Sequence, residues 1–249
     1  MQAYWTLVRR ELGAHFFSWT GYVVIAVVLL LLGLSFVDLL DKFNGVAVDL
    51  PLTSLFYSTL YFWLILLLAS PVITMRSFAG EKASGTFETL MTTPVSDVQV
   101  VLGKFTGALL FYLLMCLPLL SWVFIARPYS NDPSVVDFGA VCSTLLGLVL
   151  WGCLYMALGC LASAITRSQI IAVILSLAMG ITLFMLSYFA MGAVSVTDWK
   201  SQFAYLGLID YMKDFARGVV DRRPLVFYLS STVFFLFLTL KVVESRRWK

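Results

Sequence analysis

The residues of this chain that could take part in chemistry are few, and they form no known catalytic pattern. Gly103 and Lys104 come closest to a phosphate-binding loop, but Phe105 stands where the Walker A motif needs serine or threonine, and Val98 occupies the place of its first glycine. His15 is the only histidine, and the sequence has no HExxH, GxSxG or paired-carboxylate pattern. We therefore predict a chain that is not an enzyme, holds no metal ion and hydrolyses no ATP itself.

A polar segment, 76–104, separates two long apolar runs, and its pattern predicts a docking element. Its sequence is RSFAGEKASGTFETLMTTPVSDVQVVLGK. A short helix would begin near Gly85 or Thr86, and its apolar residues would share one face. These residues are Phe87, Leu90 and Met91. Such a helix suits contact with a partner protein, although a solvated helix without a partner would show the same pattern.

Signals for helix ends flank this predicted element. Pro94 ends the helix, because the residue before a proline is pushed out of the helical region. Ser96, with Gln99 three positions later, forms a capping-box pattern, which predicts a new helix that leads directly into the next apolar run. The result is a short helix held across the ends of two spans, where a moving partner could tilt both spans together.

The second apolar run contains hydroxyl and aromatic side chains that could line a translocation route. They are Tyr57, Ser58, Thr59 and Tyr61, with Pro71 further along the run. A proline inside a span kinks the helix or opens backbone groups toward a cavity. The same hydroxyl groups could instead form hydrogen bonds to neighbouring helices, so both roles are open at the level of the sequence.

Small residues in the fourth apolar run predict close helix packing. Cys153, Ala157, Cys160 and Ala164 are spaced by four, three and four residues, which places them on one helix face. A stripe of small side chains lets a neighbouring backbone approach closely. We interpret the two cysteines as packing residues and not as a redox pair.

The composition excludes a soluble protein. Hydrophobic residues make up 61% and charged residues 12% of the 249 positions, with a mean hydropathy of +0.93. In soluble domains, about half of the residues are apolar and about a quarter are charged. A helix of about 20 residues crosses a hydrocarbon core of about 30 Å. We predict an all-α integral membrane protein whose residues 1–249 form a single transmembrane domain. Its six spans lie at about 16–37, 50–75, 105–126, 138–166, 168–197 and 224–240.

The segment 1–15 before the first span predicts a helix that lies in the membrane interface. Tyr4, Val8, Leu12 and Phe16 recur every four residues, with charged residues between them. A disordered basic N-terminus is the alternative. Six spans place both termini on one side, and more than half of the 17 basic residues fall on that side. The positive-inside rule then predicts that both termini are cytoplasmic.

The six uncharged runs contain no Asp, Glu, Lys, Arg or His. Proton-coupled and many ion-coupled transporters keep such groups at mid-membrane, despite their cost, because these groups relay the ion. If this chain moves a substrate uphill, a partner must therefore supply the free energy from outside the spans. A passive channel is disfavoured for a related reason, since no charged ring lines any span.

The outer segment, 198–223, predicts a short amphipathic helix that lies on or dips into the outer leaflet. Met212 and Phe215 belong to an apolar stripe, and Asp210 and Lys213 are spaced to form an ion pair on the opposite face. Gly218 is a natural C-terminal stop. This helix could gate an exit or brace a dimer.

Two stretches of the chain resemble a known family. The sequence GEKASGTFETLMTTPVS, followed by GK, resembles the coupling region of the type-2 ABC export permeases. The end of the chain, FARGVVDRRPLVFYLSSTVFFLFLTLKVVESRRW, is similar to the C-terminal part of the gliding-motility (GldF-like) and NosY-like branch. The resemblance covers most of the chain.

The resemblance implies a permease subunit of the bacterial cytoplasmic membrane that pairs with an identical or related permease. Each permease would dock on a separate ABC ATPase, which binds the ATP and Mg, so this chain itself would bind no cofactor and no nucleic acid. The resemblance also implies an ATPase-facing surface in the coupling loop, formed by Glu81, Lys82, Thr86, Phe87, Glu88, Leu90, Met91 and Thr92.

These inferences favour one function and leave a rival. The favoured function is an exporter permease that couples ATP hydrolysis in the partner to translocation by alternating access. The rival is a membrane anchor, assembly or mechanotransmitting subunit of an envelope complex, as in gliding motility, without solute transport. Substrate-stimulated ATP turnover distinguishes the two.

Overall fold

The computed structural model describes residues 2–43, 53, 59–87, 95–121, 137–192 and 207–245. Nine helices account for most of this part of the chain. They are α1 (Gln2–Phe16), α2 (Trp19–Phe43), α3 (Leu60–Thr74), α4 (Ala79–Ala83), α5 (Asp97–Cys116), α6 (Phe138–Ile165), α7 (Gln169–Gly192), α8 (Leu208–Ala216) and α9 (Arg222–Ser245).

Six helical stretches are long and apolar enough to cross a membrane. They are Trp19–Asp41, Leu60–Ala83, Asp97–Ser121, Phe138–Ile165, Gln169–Tyr188 and Arg222–Ser245. Together with the N-terminal α1, they confirm the predicted all-α class with six spans. The cytoplasmic placement of the two termini stays a prediction.

The third membrane helix begins at Asp97, eight residues before the uncharged run that starts at 105. The predicted capping box is confirmed: Ser96 Oγ accepts a hydrogen bond from the Gln99 N–H, and Gln99 Oε1 accepts one from the Ser96 N–H, both at 3.3 Å. The uncharged run does not include the first two turns of this helix, because the charged residue Lys104 lies between those turns and the run. That lysine is 1% exposed and paired inside the protein, so its charge does not mark the end of the buried helix.

Helix α6 lies at the centre of the bundle and contacts α3, α5, α7, α8 and α9. Of its most apolar 18 residues, 78% are buried inside the protein. In the corresponding stretches of α2, α7 and α9, only 22% are buried. The close contact between α6 and α3 requires glycine at position 159, because a Cβ on Gly159 would lie 2.0 Å from Thr74 Oγ1 on α3. Any larger residue would force α3 and α6 apart.

The two ends of the bundle carry different elements. Helix α4 is bonded near the C-terminus of α6, at Ser163, and α8 is bonded near its N-terminus, at Ser143. Since α6 is long enough to span the membrane, α4 and α8 lie at opposite ends. We refer to these as the α4 end and the α8 end.

The outer amphipathic helix is present as α8. Asp210 and Lys213 form the predicted ion pair at 3.7 Å, and Gly218 follows the helix with a φ of +85°, as a C-terminal stop requires. The apolar side faces protein and not lipid, because Met212 and Phe215 are fully buried against α6. The apolar stripe predicted from the sequence also includes Ile209, which is buried, and Phe203 and Leu206, which lie outside the described residues.

Candidate functional site

The segment that joins α3 to α5 is held against α6 by one hydroxyl group. Phe78 precedes α4, and its apolar side chain cannot cap the N–H groups that a helix start leaves without partners. Ser163 Oγ on α6 accepts hydrogen bonds from the N–H groups of Phe78 at 3.1 Å and Ala79 at 3.0 Å. The same hydroxyl donates to the Met75 carbonyl at 3.2 Å. The start of α4 is therefore anchored to α6.

Lys82 adds a second attachment between α4 and α6. Its Nζ donates a hydrogen bond to the carbonyl of Ala164, in the last turn of α6. A cation is favourable there, because the unpaired carbonyls at a helix C-terminus carry partial negative charge. The ammonium group also lies 5.3 Å from the ring centroid of Phe87. The Lys82 side chain thus points into the protein and covers Phe87.

Four charged side chains meet where α4 faces α1 and α5. Glu81 Oε1 accepts from Arg10 at 2.6 Å and from Lys104 Nζ at 2.9 Å. Glu11 Oε1 accepts from Lys104 at 2.8 Å and lies 3.3 Å from Arg10. We call Arg10, Glu11, Glu81 and Lys104 the ion cluster. It contains two positive and two negative charges, so its formal charges balance.

The exposed fraction of the side chains in the ion cluster decreases from Arg10 to Glu81 to Lys104. The Arg10 side chain is 49% exposed, Glu81 18% and Lys104 1%. Lys104 Nζ also lies 5.3 Å from the ring centroid of Phe78. The second carboxylate oxygen of Glu81, Oε2, is buried and has no hydrogen-bond partner among the described residues. Both cations contact both carboxylates, and Lys104 is the buried one.

The surroundings of Glu11 favour its charged form, and the surroundings of His15 favour its neutral form. Burial alone raises the pKa of Glu11, but Lys104 and then Arg10 outweigh it, and the pKa lies below its ordinary value. Burial lowers the pKa of His15, and Glu11 opposes this only in part. The imidazole, stacked on Phe111 with ring centroids 4.9 Å apart, is consequently neutral near pH 7.

The lowered pKa of Glu11 predicts a specific loss of stability in acid. A carboxylate whose pKa is depressed in the folded state stabilises the fold above its ordinary pKa, 4.5, and loses this contribution as the pH falls through the lowered value. We expect the thermal unfolding midpoint of the purified chain to fall more steeply below pH 4.5 than that of Glu11→Gln. Parallel pH profiles for the two proteins would show that Glu11 makes no such contribution.

Helix α1 reaches the ion cluster because α5 presents glycine to it. A Cβ on Gly107 would lie 2.7 Å from Glu11 Cβ, and one on Gly103 would lie 3.1 Å from Leu7 Cβ. The Tyr4 hydroxyl further donates to Thr106 Oγ1 at 3.0 Å. These contacts seat α1 along the first half of α5, and the closeness of the two backbones brings Glu11 within reach of Lys104.

Beyond these anchored groups, the described part of the segment ends in an exposed tip. Ala83, Ser84, Gly85 and Thr86 are exposed, and Gly85 has a φ of +74°, which an L-residue rarely adopts. Helical residues resume at Thr86 and Phe87, where the sequence predicts the start of a helix. We call residues 83–86 the tip. It protrudes from a base that is attached to α1, α5 and α6.

A family comparison identifies what this arrangement belongs to. A model of the ABC-2 family transporter proteins matches residues 16–248. The chain belongs to the ABC-2 transporter family. It is therefore a membrane permease component of an ABC exporter, a class that is generally non-catalytic and associates with an ABC ATPase. No curated protein matches the chain at a significant level, and the narrower GldF-like or NosY-like assignment stays a prediction.

The structure of this ABC-2 permease distributes the predicted coupling residues over two environments. Glu81 and Lys82 point inward, toward α1 and α6. Phe87 is buried, at 8% exposure, and Thr86 is exposed. The remaining four lie outside the described residues: Glu88, Leu90, Met91 and Thr92. That these residues face an ATPase stays a prediction.

The residues predicted to line a route lie partly against other helices. The Thr59 hydroxyl is buried and lies 2.7 Å from Ser35 Oγ on α2. Tyr61 is half-buried, and Pro71 is buried inside α3. Tyr57 and Ser58 lie outside the described residues. The contact of Thr59 is of the helix-to-helix kind that the sequence left as the alternative.

The small residues of α6 lie in the interior of the permease. Ala157, Cys160 and Ala164 are fully buried, and Cys153 is half-buried. In the part of the chain that the structure describes, no three His, Cys, Asp or Glu side chains are grouped so that they could hold a metal ion.

Sequence reasoning missed the residues that hold the coupling segment in place. The sequence pattern places Arg10 and Glu11 on the polar side of an interfacial helix and Lys104 at the end of a polar segment, and it gives Ser163 no role. One signal was present: Gly103 and Gly107 are four residues apart, the spacing that lets a second helix approach closely. Ser163 had no local signal, because its partners lie more than 80 positions away in the chain.

Proposed function

We propose that this chain is the permease subunit that converts movement of a separate ABC ATPase into movement of its membrane helices. ATP and Mg are bound by the ATPase, and the α4 end with both termini faces the cytoplasm. Closure of the ATPases presses on the segment that begins at the tip, and the permease switches between inward-open and outward-open states. The observation that carries this proposal is the attachment of α4 to three other helices.

Adjacent residues of α4 hold different helices. Glu81 contacts Arg10 on α1 and Lys104 on α5, whereas Lys82 contacts the last turn of α6. The chain itself continues from α4 back into α3, and Ser163 binds this connection to α6. A push on the tip would therefore reach α1, α3, α5 and α6 through short, direct contacts.

This geometry suggests separate tasks for the predicted coupling residues. Thr86 and the predicted coupling residues that follow it in the chain, Glu88, Leu90, Met91 and Thr92, would contact the ATPase. Glu81 and Lys82 would act as positioning residues behind them, because each is already bonded to another helix. Phe87 would serve as packing under Lys82, since it is buried.

The translocation route is proposed to lie between two permeases. Two apolar cavities inside this chain measure about 30 and 110 Å³, whereas sites for drug-sized molecules occupy roughly 300–1,000 Å³. In α2, α7 and α9, only 22% of the most apolar 18 residues are buried. These helices therefore leave broad apolar faces for lipid or a second permease. Pairing of two chains, identical or related, would place a path between such faces.

The rival function is a mechanotransmitting or anchoring subunit that moves no solute. The same attachment of α4 would transmit movement of an ATPase to an envelope partner. The two functions differ in one measurable respect, because only an exporter has a solute that stimulates ATP turnover by the complex.

The proposal predicts that a bulky residue at the tip blocks coupling without unfolding the permease. Ala83 is exposed and forms no side-chain hydrogen bond, so Ala83→Trp should leave the thermal unfolding midpoint within about 2 °C, as most surface substitutions do. We expect the affinity of the ATPase for this variant to fall at least about tenfold, which corresponds to roughly 1.4 kcal/mol of binding free energy, so that the ATPase co-purifies poorly.

The matched control for the tip is Ser245→Trp. Ser245 is exposed at the end of α9, on the same side of the bundle but outside the coupling segment, so we expect near-normal co-purification and ATP turnover. If Ala83→Trp binds and stimulates the ATPase as well as the control does, the tip is not the docking point and the proposed function loses its main support.

A further inference from the structure

An open groove at the α8 end is lined by cationic, aromatic and apolar side chains. It lies between α8 and the first two turns of α9 and measures about 430 Å³. Its lining residues are Tyr211, Arg222, Arg223, Val226, Phe227 and Ser230. The proposed coupling mechanism makes no use of this groove, which lies at the end of the bundle opposite the tip.

The two arginines of the groove have no ion-pair partner among the described residues. Both are exposed at the start of α9, where the unpaired N–H groups of a helix also favour an anion. The neighbouring Asp221 carboxylate accepts a hydrogen bond from the Arg222 backbone N–H at 2.6 Å. Asp210 is paired with Lys213 on α8. Both guanidinium groups therefore have their donors available to a ligand.

Apolar residues on both sides of the arginine pair place it at the boundary of the hydrocarbon core. Val219 and Val220 precede the pair and are 55% and 49% exposed, and Val226 follows it at 65%. Exposed apolar side chains at the end of a membrane helix are covered by lipid. Of the three valines, Val226 lines the groove, together with Phe227. A soluble anion would leave this apolar lining uncovered, whereas an amphiphile with an anionic head would contact both the lining and the arginines.

The wall that α8 contributes to the groove is preformed. Phe215 and Met212 are buried against α6, and two hydroxyl groups fix the end of the helix: Ser143 donates to the Phe215 carbonyl at 2.5 Å and Thr53 to the Ala216 carbonyl at 2.7 Å. Tyr211 thus faces the groove from a rigid support, with its ring centroid 6.1 Å from that of Phe227. A preformed wall lowers the entropic cost of binding.

We propose that this groove binds one anionic phospholipid from the leaflet at the α8 end. Arg222 and Arg223 would contact the phosphate, because guanidinium groups bind phosphate oxygens in a bidentate manner. An acyl chain would lie along Val226 and Phe227. This assignment also accounts for basic residues on the side of the membrane where the positive-inside rule makes them rare.

The test is lipid binding to the purified full-length chain in neutral detergent, followed by native mass spectrometry. The probes are dioleoyl phosphatidylglycerol, which is anionic, and dioleoyl phosphatidylcholine, which has no net charge. We expect one phosphatidylglycerol to be retained in preference to phosphatidylcholine. In the double variant Arg222→Gln, Arg223→Gln this retention should weaken on the order of thirtyfold, since each basic residue at an anionic lipid surface contributes a factor of roughly five.

The matched control is Lys213→Gln with Arg217→Gln, which removes two charges from the same end but none from the lining of the groove. We expect it to retain phosphatidylglycerol nearly as well as the unaltered chain. Equal losses in the two double variants would reduce the effect to general electrostatics and overturn the site. Equal binding of phosphatidylcholine would overturn the anionic specificity, and displacement by millimolar glycerol phosphate would assign the site to a soluble anion instead.

Discussion

Lys104→Met is expected to lower the stability of the protein by several kcal/mol. Among the described residues, the variant leaves Glu11 and Glu81 with Arg10 as their only cation. Both cations contact both carboxylates, but Lys104 is 1% exposed, whereas Arg10 is 49% exposed. Removal of one partner from a buried ion pair costs about 3–5 kcal/mol, because the remaining charge is left without compensation in a medium of low polarity. The thermal unfolding midpoint of the purified chain measures this loss.

Two further variants separate the charge effect from a general effect of methionine. Lys241→Met removes an exposed lysine that pairs with Glu244 at 2.7 Å, and an exposed pair contributes at most about 1 kcal/mol. Adding Glu11→Gln to Lys104→Met restores the balance of charge and should recover much of the lost stability. If Lys104→Met melts like Lys241→Met, the ion cluster does not hold α1 and α4 in place.

The second large effect is expected from Ser163→Ala. The substitution removes one hydroxyl, and with it the acceptor for the N–H groups of Phe78 and Ala79. Each buried donor left without a partner costs about 1–3 kcal/mol. We therefore expect a lower thermal unfolding midpoint and faster amide hydrogen exchange at the start of α4.

Ser230→Ala is the control for this effect. Ser230 is exposed, and its hydroxyl bonds only within α9, to the Phe227 carbonyl at 3.2 Å. This variant should unfold like the unaltered chain and leave exchange in α4 unchanged. Normal exchange at Phe78 and Ala79 in Ser163→Ala would mean that other groups, and not this hydroxyl, cap α4.

The two variants also probe coupling from different directions. Lys104→Met weakens the attachment of α4 to α1 and α5, whereas Ser163→Ala weakens its attachment to α6. If the proposed function is correct, each variant that still folds should retain its ATPase partner, because the tip is unaltered, yet transport per ATP hydrolysed should fall. Loss of the partner in both would instead indicate that the ion cluster shapes the docking surface itself.

Local patterns in the sequence determined several elements correctly. The six spans follow from long apolar runs, the start of α5 from the Ser96 and Gln99 capping box, and the end of α8 from Gly218. Each depends on residues within a few positions of one another, or on hydropathy summed over about 20 residues. Such signals need no knowledge of the neighbouring helices.

The same local view failed where a charge or a helix face is decided by a distant segment. It began the third span near 105, since Lys104 reads as a solvated charge until Glu11 and Glu81 surround it. It placed the apolar side of α8 on lipid, although α6 covers Met212 and Phe215. It also missed α4, a helix of five residues whose start is capped by Ser163 from another helix.

The sequence by itself determined that this is an all-helical membrane protein with a polar segment between its second and third spans. Only the tertiary structure decided which residues of that segment point outward. Glu81 and Lys82 are polar and lie in a polar loop, so they read as exposed. They turn inward because the cations of Arg10 and Lys104 meet Glu81 there and the C-terminus of α6 meets Lys82, and all three partners belong to other helices. Such complementarity exists only once the helices have packed.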